Sequence, residues 1–306
     1  MHICSLFMAT TVLSAVADDG IHDVRTLVTA MDALQRPVED FRCEFEGSSK
    51  AAKAEGAAAE KLLVKPGEDG SYDTFGGVFV WKRGGEMSSD ALHRRSIDNV
   101  VSRELILVRP RQRELELHTR PNTTTVGHTE IRNFDQVYIS MFDTPAKFFL
   151  IDDVKRCIDL EYYKTSVADD QIEGRPVKAL SVFLTFKGPK NIPDQLLMRY
   201  WIDLHKSGQV VRKEYYQDDV MGARFEIALR SFKVGSEDVW MPISADMKSS
   251  VENVEGKPVV LKDPVLHLSI YVIEGTMQFN KHPGPDVFTA KYKPGTPISD
   301  HIRKLK

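Results

Sequence analysis

Three consecutive stretches, RYWIDLHKSGQVVRKEYY (199–216), GARFEIALRSFKV (222–234) and VWMPISADMKS (239–249), decide the fold. Each alternates apolar and polar residues with the two-residue period of a strand, and short polar turns separate them. Tyr200 and Ile202, then Phe225 and Ile227, then Met241 and Ile243 fall on one face, while Arg199, Glu226 and Ser244 fall on the other. The segment DDVMG (218–222) between the first two is a hairpin turn. From Met198 to Ile273 the chain therefore reads as a continuous antiparallel sheet with one apolar, aromatic face.

The first seventeen residues bear on where such a sheet works. ICSLFMATTVLSAV (3–16) is uncharged and apolar and runs into Ala15-Val16-Ala17, a small-x-small cleavage pattern before Asp18-Asp19. This reads as a secretory signal cleaved after Ala17, although only Met1 and His2 stand in place of the usual basic n-region. A short membrane anchor is the rival reading. The run is shorter than the roughly 20 residues a spanning helix needs. Residues 18–306 are then expected to work outside the cytoplasm as a single domain and a monomer.

The chain has 306 residues, with 41 Lys and Arg against 44 Asp and Glu, a formal net charge of −3. That near-neutral balance argues against a nucleic-acid partner. Of three cysteines, Cys4 belongs to the signal, leaving Cys43 and Cys157 in a compartment that permits a disulfide. In VEDFRCEFEG (38–47), Phe41, Cys43 and Phe45 share the inward face. In CIDLEYY (157–163), Cys157 falls on the polar side with Asp159 and Glu161. The alternation speaks against a bridge, and two unpaired thiols are the alternative.

Ahead of the strands, IHDVRTLVTAMDALQ (21–35) spaces Ile21, Val24, Leu27, Val28, Met31 and Leu34 as one stripe of an amphipathic helix, ending before Pro37. Residues 47–61, GSSKAAKAEGAAAEK, have no large apolar side chain and are expected to form a mobile loop. From Leu62 to Val126 the text is strand-like, with turn signals at Gly76-Gly77, Gly84-Gly85 and Pro110. Within it ELILVRPRQRELELHT (104–119) reads as a hairpin.

The period then changes. In FDQVYISMFDTPAKFFLID (134–152), Asp143 or Thr144 caps a short helix with Pro145 at its first position, carrying Phe148, Phe149 and Leu150 as an apolar plug or lid. Farther on, VLHLSIYVI (265–273) looks apolar on both faces and is expected to be covered on both, with His267 as a hydrogen-bonded core histidine. Residues 280–306 read as an irregular tail rich in Pro and Gly.

No G-x-S-x-G or S-x-x-K occurs, and Asp152-Asp153 and Asp218-Asp219 are adjacent pairs that a strand splits between faces or a turn leaves solvated. His93, His118 and His128 lie in the first sheet region without metal-ligand spacing and read as solvated strand histidines. No catalytic residue, metal ligand or cofactor is assigned. Arg94-Arg95 and Arg109 to Arg113 offer either a solvated strand face or a peripheral contact with anionic headgroups.

The order of elements resembles the LolA-like outer-membrane lipoprotein carriers of Gram-negative periplasms and the related lipid-sensing domains of envelope-stress regulators. The resemblance rests on YWIDLHKSGQVVRKEYY (200–216), with Trp201, Asp203 and Gly208 ahead of Val211 and Glu214-Tyr215. It rests also on VWMPISADM (239–247), with Trp240 and Pro242 heading a strand, on the N-terminal helix leading into VEDFRCEFEG, and on the helix begun by Pro145. It implies a mainly β, α+β fold: an antiparallel sheet curled into an incomplete barrel, closed on its concave side by the N-terminal and mid-chain helices around an apolar cavity for acyl chains. No functional residue of that family is carried over.

Physical chemistry supplies its own case, since burying one large apolar side chain is worth about 1.5–3 kcal/mol. A concave face not filled by its own helices would be satisfied by an acyl chain. The candidate lining is Phe41, Phe45, Tyr200, Ile202, Phe225, Ile227, Met241 and Ile243, with Phe148, Phe149 and Leu150 from the short helix. The expected function is non-catalytic binding of a lipid or acylated protein, for transport or sensing. The alternative is an envelope protein-interaction module whose core is filled by its own side chains.

Overall fold

The computed structural model describes residues 20–51, 73–84, 86–94, 101–109, 113–120, 123–129, 154, 163–185, 194–217, 219–254, 257–260, 266–289 and 298–300. The apolar stripe read from the sequence forms helix α1, Val24–Leu34. Asp23 caps it: its carboxylate accepts from Thr26 N at 2.9 Å and Thr26 Oγ1 at 2.6 Å. Those bonds, the side-chain one first, hold the Asp23 carboxyl below its ordinary range. Leu27, Val28, Ala30 and Met31 are the buried stripe.

Strands follow as β1 (Asp40–Ala51), β2 (Asp73–Lys82), β3 (Glu86–Arg94), β4 (Val101–Arg109), β5 (Arg113–Arg120) and β6 (Thr123–Thr129). Next are β7 (Tyr163–Ile172), β8 (Arg175–Leu184), β9 (Gln195–Asp203), a 3-10 turn at Leu204–Lys206, β10 (Gln209–Gln217), β11 (Val220–Val234) and β12 (Glu237–Ser249). The hairpin β13 (Val251–Val254) and β14 (Lys257–Val260) precedes β15 (Leu266–Val272) and β16 (Gln278–Phe279). A second 3-10 turn, Pro285–Phe288, and β17 (Ile298–Asp300) complete the described chain.

Except for the separate β13–β14 hairpin, these strands make one sheet in the order β17-β6-β5-β4-β3-β2-β1-β15-β12-β11-β10-β9-β8-β7, with β16 also on β1. Every pairing is antiparallel except β17 on β6. Two meanders of sequence-adjacent strands meet at β1 and β15, the economical topology for short connections. The sheet does not close into a barrel. The expected fold class is observed, with α1 in place and Val154 helical and fully buried in the core. The expected helix begun by Pro145, and the signal segment, lie outside the described residues.

Two local devices curl the sheet. Register shifts occur at Val182/Phe183, Val210/Arg212, Tyr215/Tyr216 and Ala228/Leu229, and an extra residue in one strand bends it and increases its twist. On the other side of β1, glycines let backbones approach. A Cβ at Gly77 would lie 1.9 Å from Asp90 O, and one at Gly47 would lie 2.3 Å from the Phe75 ring. Gly76-Gly77 is therefore the interior of β2 and not a turn, because its role is clearance. Turns that do need a positive φ include Glu173-Gly174 between β7 and β8 and Ser207-Gly208 before β10.

Three further expectations are corrected. β1 continues to Ala51, so 47–51 is paired strand and not loop; residues 52–61 lie outside the described ones. β15 buries only Leu268 and Ile270, with Tyr271 48% exposed, so it is covered on one face. His267, Ser269 and Tyr271 form its outer side, and His267 sits at the surface 3.4 Å from Asp246 and from Ser269. Reading VLHLSIYVI as two-sided credited that outer stripe with an apolar character it lacks.

The tail is more ordered at its start than expected. Asp40, nearly buried, accepts from Lys281 N at 2.8 Å and His282 N at 3.0 Å. Asn280 receives Glu39 N at 2.8 Å and donates to Pro37 O. This clasp leads to the Pro285–Phe288 turn, which packs on β3 and β4 with Phe288 buried.

Cys43 is a free, buried thiol, and burial pushes it up to about 12; Cys157 lies outside the described residues. Thiol alkylation of the native protein at pH 8 is expected to leave Cys43 unmodified, with full labelling in denaturant; fast native labelling, mapped by peptide mass, would contradict the packing. Gly77→Ala is expected to cost about 3 kcal/mol or more in chemical denaturation, because the new methyl meets rigid backbone. A loss below about 1 kcal/mol would show that the sheet relaxes there.

Candidate functional site

The candidate site is the concave wall of the sheet, built by register. Residues directly opposite in neighbouring antiparallel strands share a face. One row across the wall is Leu180, Tyr200, Lys213, Phe225, Met247 and Leu268. The next is Ile227, Ala245, Ile270, Gly47 and Phe75. Beyond Gly47, the odd-numbered residues of β1 and β2 continue the face: Phe45, then Cys43 opposite Phe79, then Phe41 opposite Trp81.

Aromatic rings interlock along this wall. Phe41 lies 5.7 Å from Phe79 and 5.6 Å from Trp81, Phe45 lies 6.5 Å from Phe75, and Tyr215 meets Phe225 edge-on at 5.6 Å. α1 lays its buried stripe over this face and packs against β7 and the Leu204–Lys206 turn. Val154 joins the same cluster.

Seven of the candidate lining residues, Phe41, Phe45, Tyr200, Ile202, Phe225, Ile227 and Met241, belong to one buried cluster. Ile243 is set apart. It falls at the register shift where Leu229 pairs with Pro242 and Ala228 with Ser244, so no β11 residue lies opposite it. Half-buried, it lines an apolar recess with Phe45, Pro242, Ser244, Ile270, Tyr271 and Val272, whose internal volume of about 10 Å³ is room for one water. Phe148, Phe149 and Leu150 lie outside the described residues.

The wall also holds a cation that the alternation did not bring forward. Lys213 is 2% exposed, with Nζ 4.9 Å from the Tyr200 ring centroid and 4.6 Å from that of Tyr215. The signal was available as a lysine on the apolar parity of β10, opposite Tyr200 and Phe225. The register shift between Val210 and Arg212 hid it, because an extra residue changes the parity along the strand.

The convex face is chemically opposite. Glu214, nearly buried, accepts from Arg224 Nε at 2.7 Å and from the Tyr216 hydroxyl. Burial and then the Glu214 bond push that phenol up to about 12. Arg212 Nε donates to Glu226 at 2.8 Å. Trp201 lies between the guanidinium groups of Arg199 and Arg212, at 5.8 and 5.6 Å, and its Nε1 donates to Asp170 at 2.8 Å. That bond, above all, holds the Asp170 carboxyl low. Beside these charge-assisted pairs, Trp201 packs with Ile172, Val177 and Ala179 in a second, smaller buried cluster.

Among the described residues no group of three or more His, Cys, Asp or Glu could hold a metal ion. His93 stacks on Phe75 at 5.8 Å; the side chains of His118 and His128 are not among those described. Among the described residues, no helix is long and apolar enough to cross a membrane.

No protein-family model matches the chain, and no curated protein matches it in sequence. Solved structures do match in shape. A domain from Vibrio parahaemolyticus provisionally assigned to outer-membrane lipoprotein sorting superposes with a TM-score of 0.52 at 12% identity, over 87% of this chain and 97% of that one. A DUF1329 family protein from Desulfovibrio piger gives the same TM-score, identity and coverage. At that identity the likeness concerns the backbone alone: the chain shares the fold of the lipoprotein-sorting-like domain and of the DUF1329 family protein.

Proposed function

We propose that this chain is a non-catalytic binding protein of the cell envelope that holds a lipid, or the acyl chains of a lipidated protein, against the concave wall. The supporting observation is the wall itself, an open sheet whose apolar, aromatic face packs against the buried stripe of α1. Displacing α1 would uncover Leu27, Val28 and Met31, at about 1.5–3 kcal/mol each. An acyl chain returns about 0.8 kcal/mol per methylene. A chain of roughly 12 carbons therefore offsets that opening, so that α1 serves as a lid and fatty acyl groups suffice as ligand.

In this reading residues 1–17 are a signal removed after Ala17, residues 18–306 act as one monomeric unit in the periplasm, and the cargo is passed on or sensed. The fold shared with a lipoprotein-sorting domain supports the compartment and the ligand class alike. The basic runs at Arg94-Arg95 and Arg109 to Arg113 would meet anionic headgroups at the membrane surface, a contact that weakens as salt rises. The interaction-module reading keeps one specific observation in its favour: the described lining residues already pack on one another.

Native mass spectrometry of protein purified from its own periplasm, followed by organic extraction, separates the two. A co-purifying lipid is expected; a homogeneous apo mass together with retained partner binding would favour the interaction module. Ile243→Asp, at a half-buried position, is expected to leave the thermal midpoint within a few degrees and to lower lipid recovery at least tenfold. Ile227→Asp serves as the contrasting control, since a charge buried in the cluster is expected to cost about 3 kcal/mol or more of stability. Unchanged lipid in a folded Ile243→Asp protein would remove that position from the site.

A further inference from the structure

Among the described residues, two buried oxygens near the C-terminal end of α1 have no hydrogen-bond partner, and they flank a single turn. Gln35 follows α1 directly; it is 2% exposed, and its Nε2 donates to Gly208 O at 3.2 Å while its Oε1 has no donor among the described residues. Asp203 ends β9 and is 4% exposed; it stands at the N-cap of the Leu204–Lys206 turn without a capping bond, and its Oδ1 has no donor there either. Asp203 is registered opposite Gln209, the neighbour of Gly208. Both oxygens are acceptors only, so neither oxygen can satisfy the other, and the Gln35 amide nitrogen is directed at Gly208 O.

We infer that this junction binds an ordered internal water that donates to Asp203 Oδ1 and Gln35 Oε1. Two acceptors call for one molecule with two protons, and buried waters characteristically take about three polar partners. Ser207 supplies a further one: its Oγ accepts Trp240 N at 3.0 Å and keeps a hydroxyl proton to give. The site is closed above by α1, since Gly208 comes so near that a Cβ there would lie 3.0 Å from Met31 Cα. The water thus ties the end of the covering helix to the β9–β10 turn, beside the bond that already commits the Gln35 amide nitrogen to Gly208 O. The aspartate and glycine of YWIDLHKSG acquire a reason to stand together.

A crystal structure of the full chain that resolves solvent tests this directly. A fully occupied water within hydrogen-bonding distance of both oxygens is expected. A site with no solvent peak, direct protein donors to both oxygens, or a peak coordinated at about 2.0–2.6 Å as a metal cation would each overturn it. In solution, magnetisation transfer from a long-lived water to the amides of Ser207 and Gly208 is expected in the wild-type protein and reduced at least severalfold in folded Gln35→Met. Equal transfer in both would remove Gln35 from the site.

Discussion

The sheet is held together at one crossing. β1 is paired on both sides, with β2 along one edge and with β15 and β16 along the other, and among the described strands its pairing with β15 joins the two meanders. At Gly47 the Phe75 ring and Ser269 O come within 2.6 Å of where a Cβ would sit. That absence of a side chain lets the two halves close toward each other, and the curvature creates an inside and an outside. Phe41, Cys43 and Phe45 then fall on the inside with the rows contributed by β8 to β12.

Once curvature separates the faces, the two stripes of each strand meet different solvents. The concave stripe stacks aromatic rings beneath α1, and the convex stripe pairs Arg212 with Glu226 and Arg224 with Glu214. A slip of one residue would exchange the two sets, which is why the register is strongly specified. The four register shifts are tolerated because each is confined to one strand pair and adds bend where the wall needs it.

This partition links architecture to the proposed role. A helix resting on an apolar wall is replaceable by another apolar body of similar area, because burial is non-directional and scales with surface removed from water. Polar anchors are different: the Asp40 clasp and the Gln35–Gly208 contact have fixed partners and directions. They tie the tail and the end of α1 to the sheet. Directional bonds at the margin of a non-directional interface are what a covering element needs if it is to move and return to one place.

Alternation and turn chemistry by themselves determined the strand-rich class, the α1 helix, the hairpins at Glu173-Gly174 and Asp219, and the inward set Phe41, Phe45, Tyr200, Ile202, Phe225, Ile227 and Met241, because these follow from local periods of 3.6 and 2. What escaped that reading depends on neighbours distant in sequence. Gly76-Gly77 resembles a turn until Asp90 O is seen to fill the place of its side chain, and Ser48 and Ser49 resemble a loop until β2 and β15 pair with them. Ile243 leaves the core rows, and Lys213 enters them, through register shifts that only strand pairing sets. The tertiary structure decided these positions because a residue's face is local, whereas what lies against that face is contributed by chain far away.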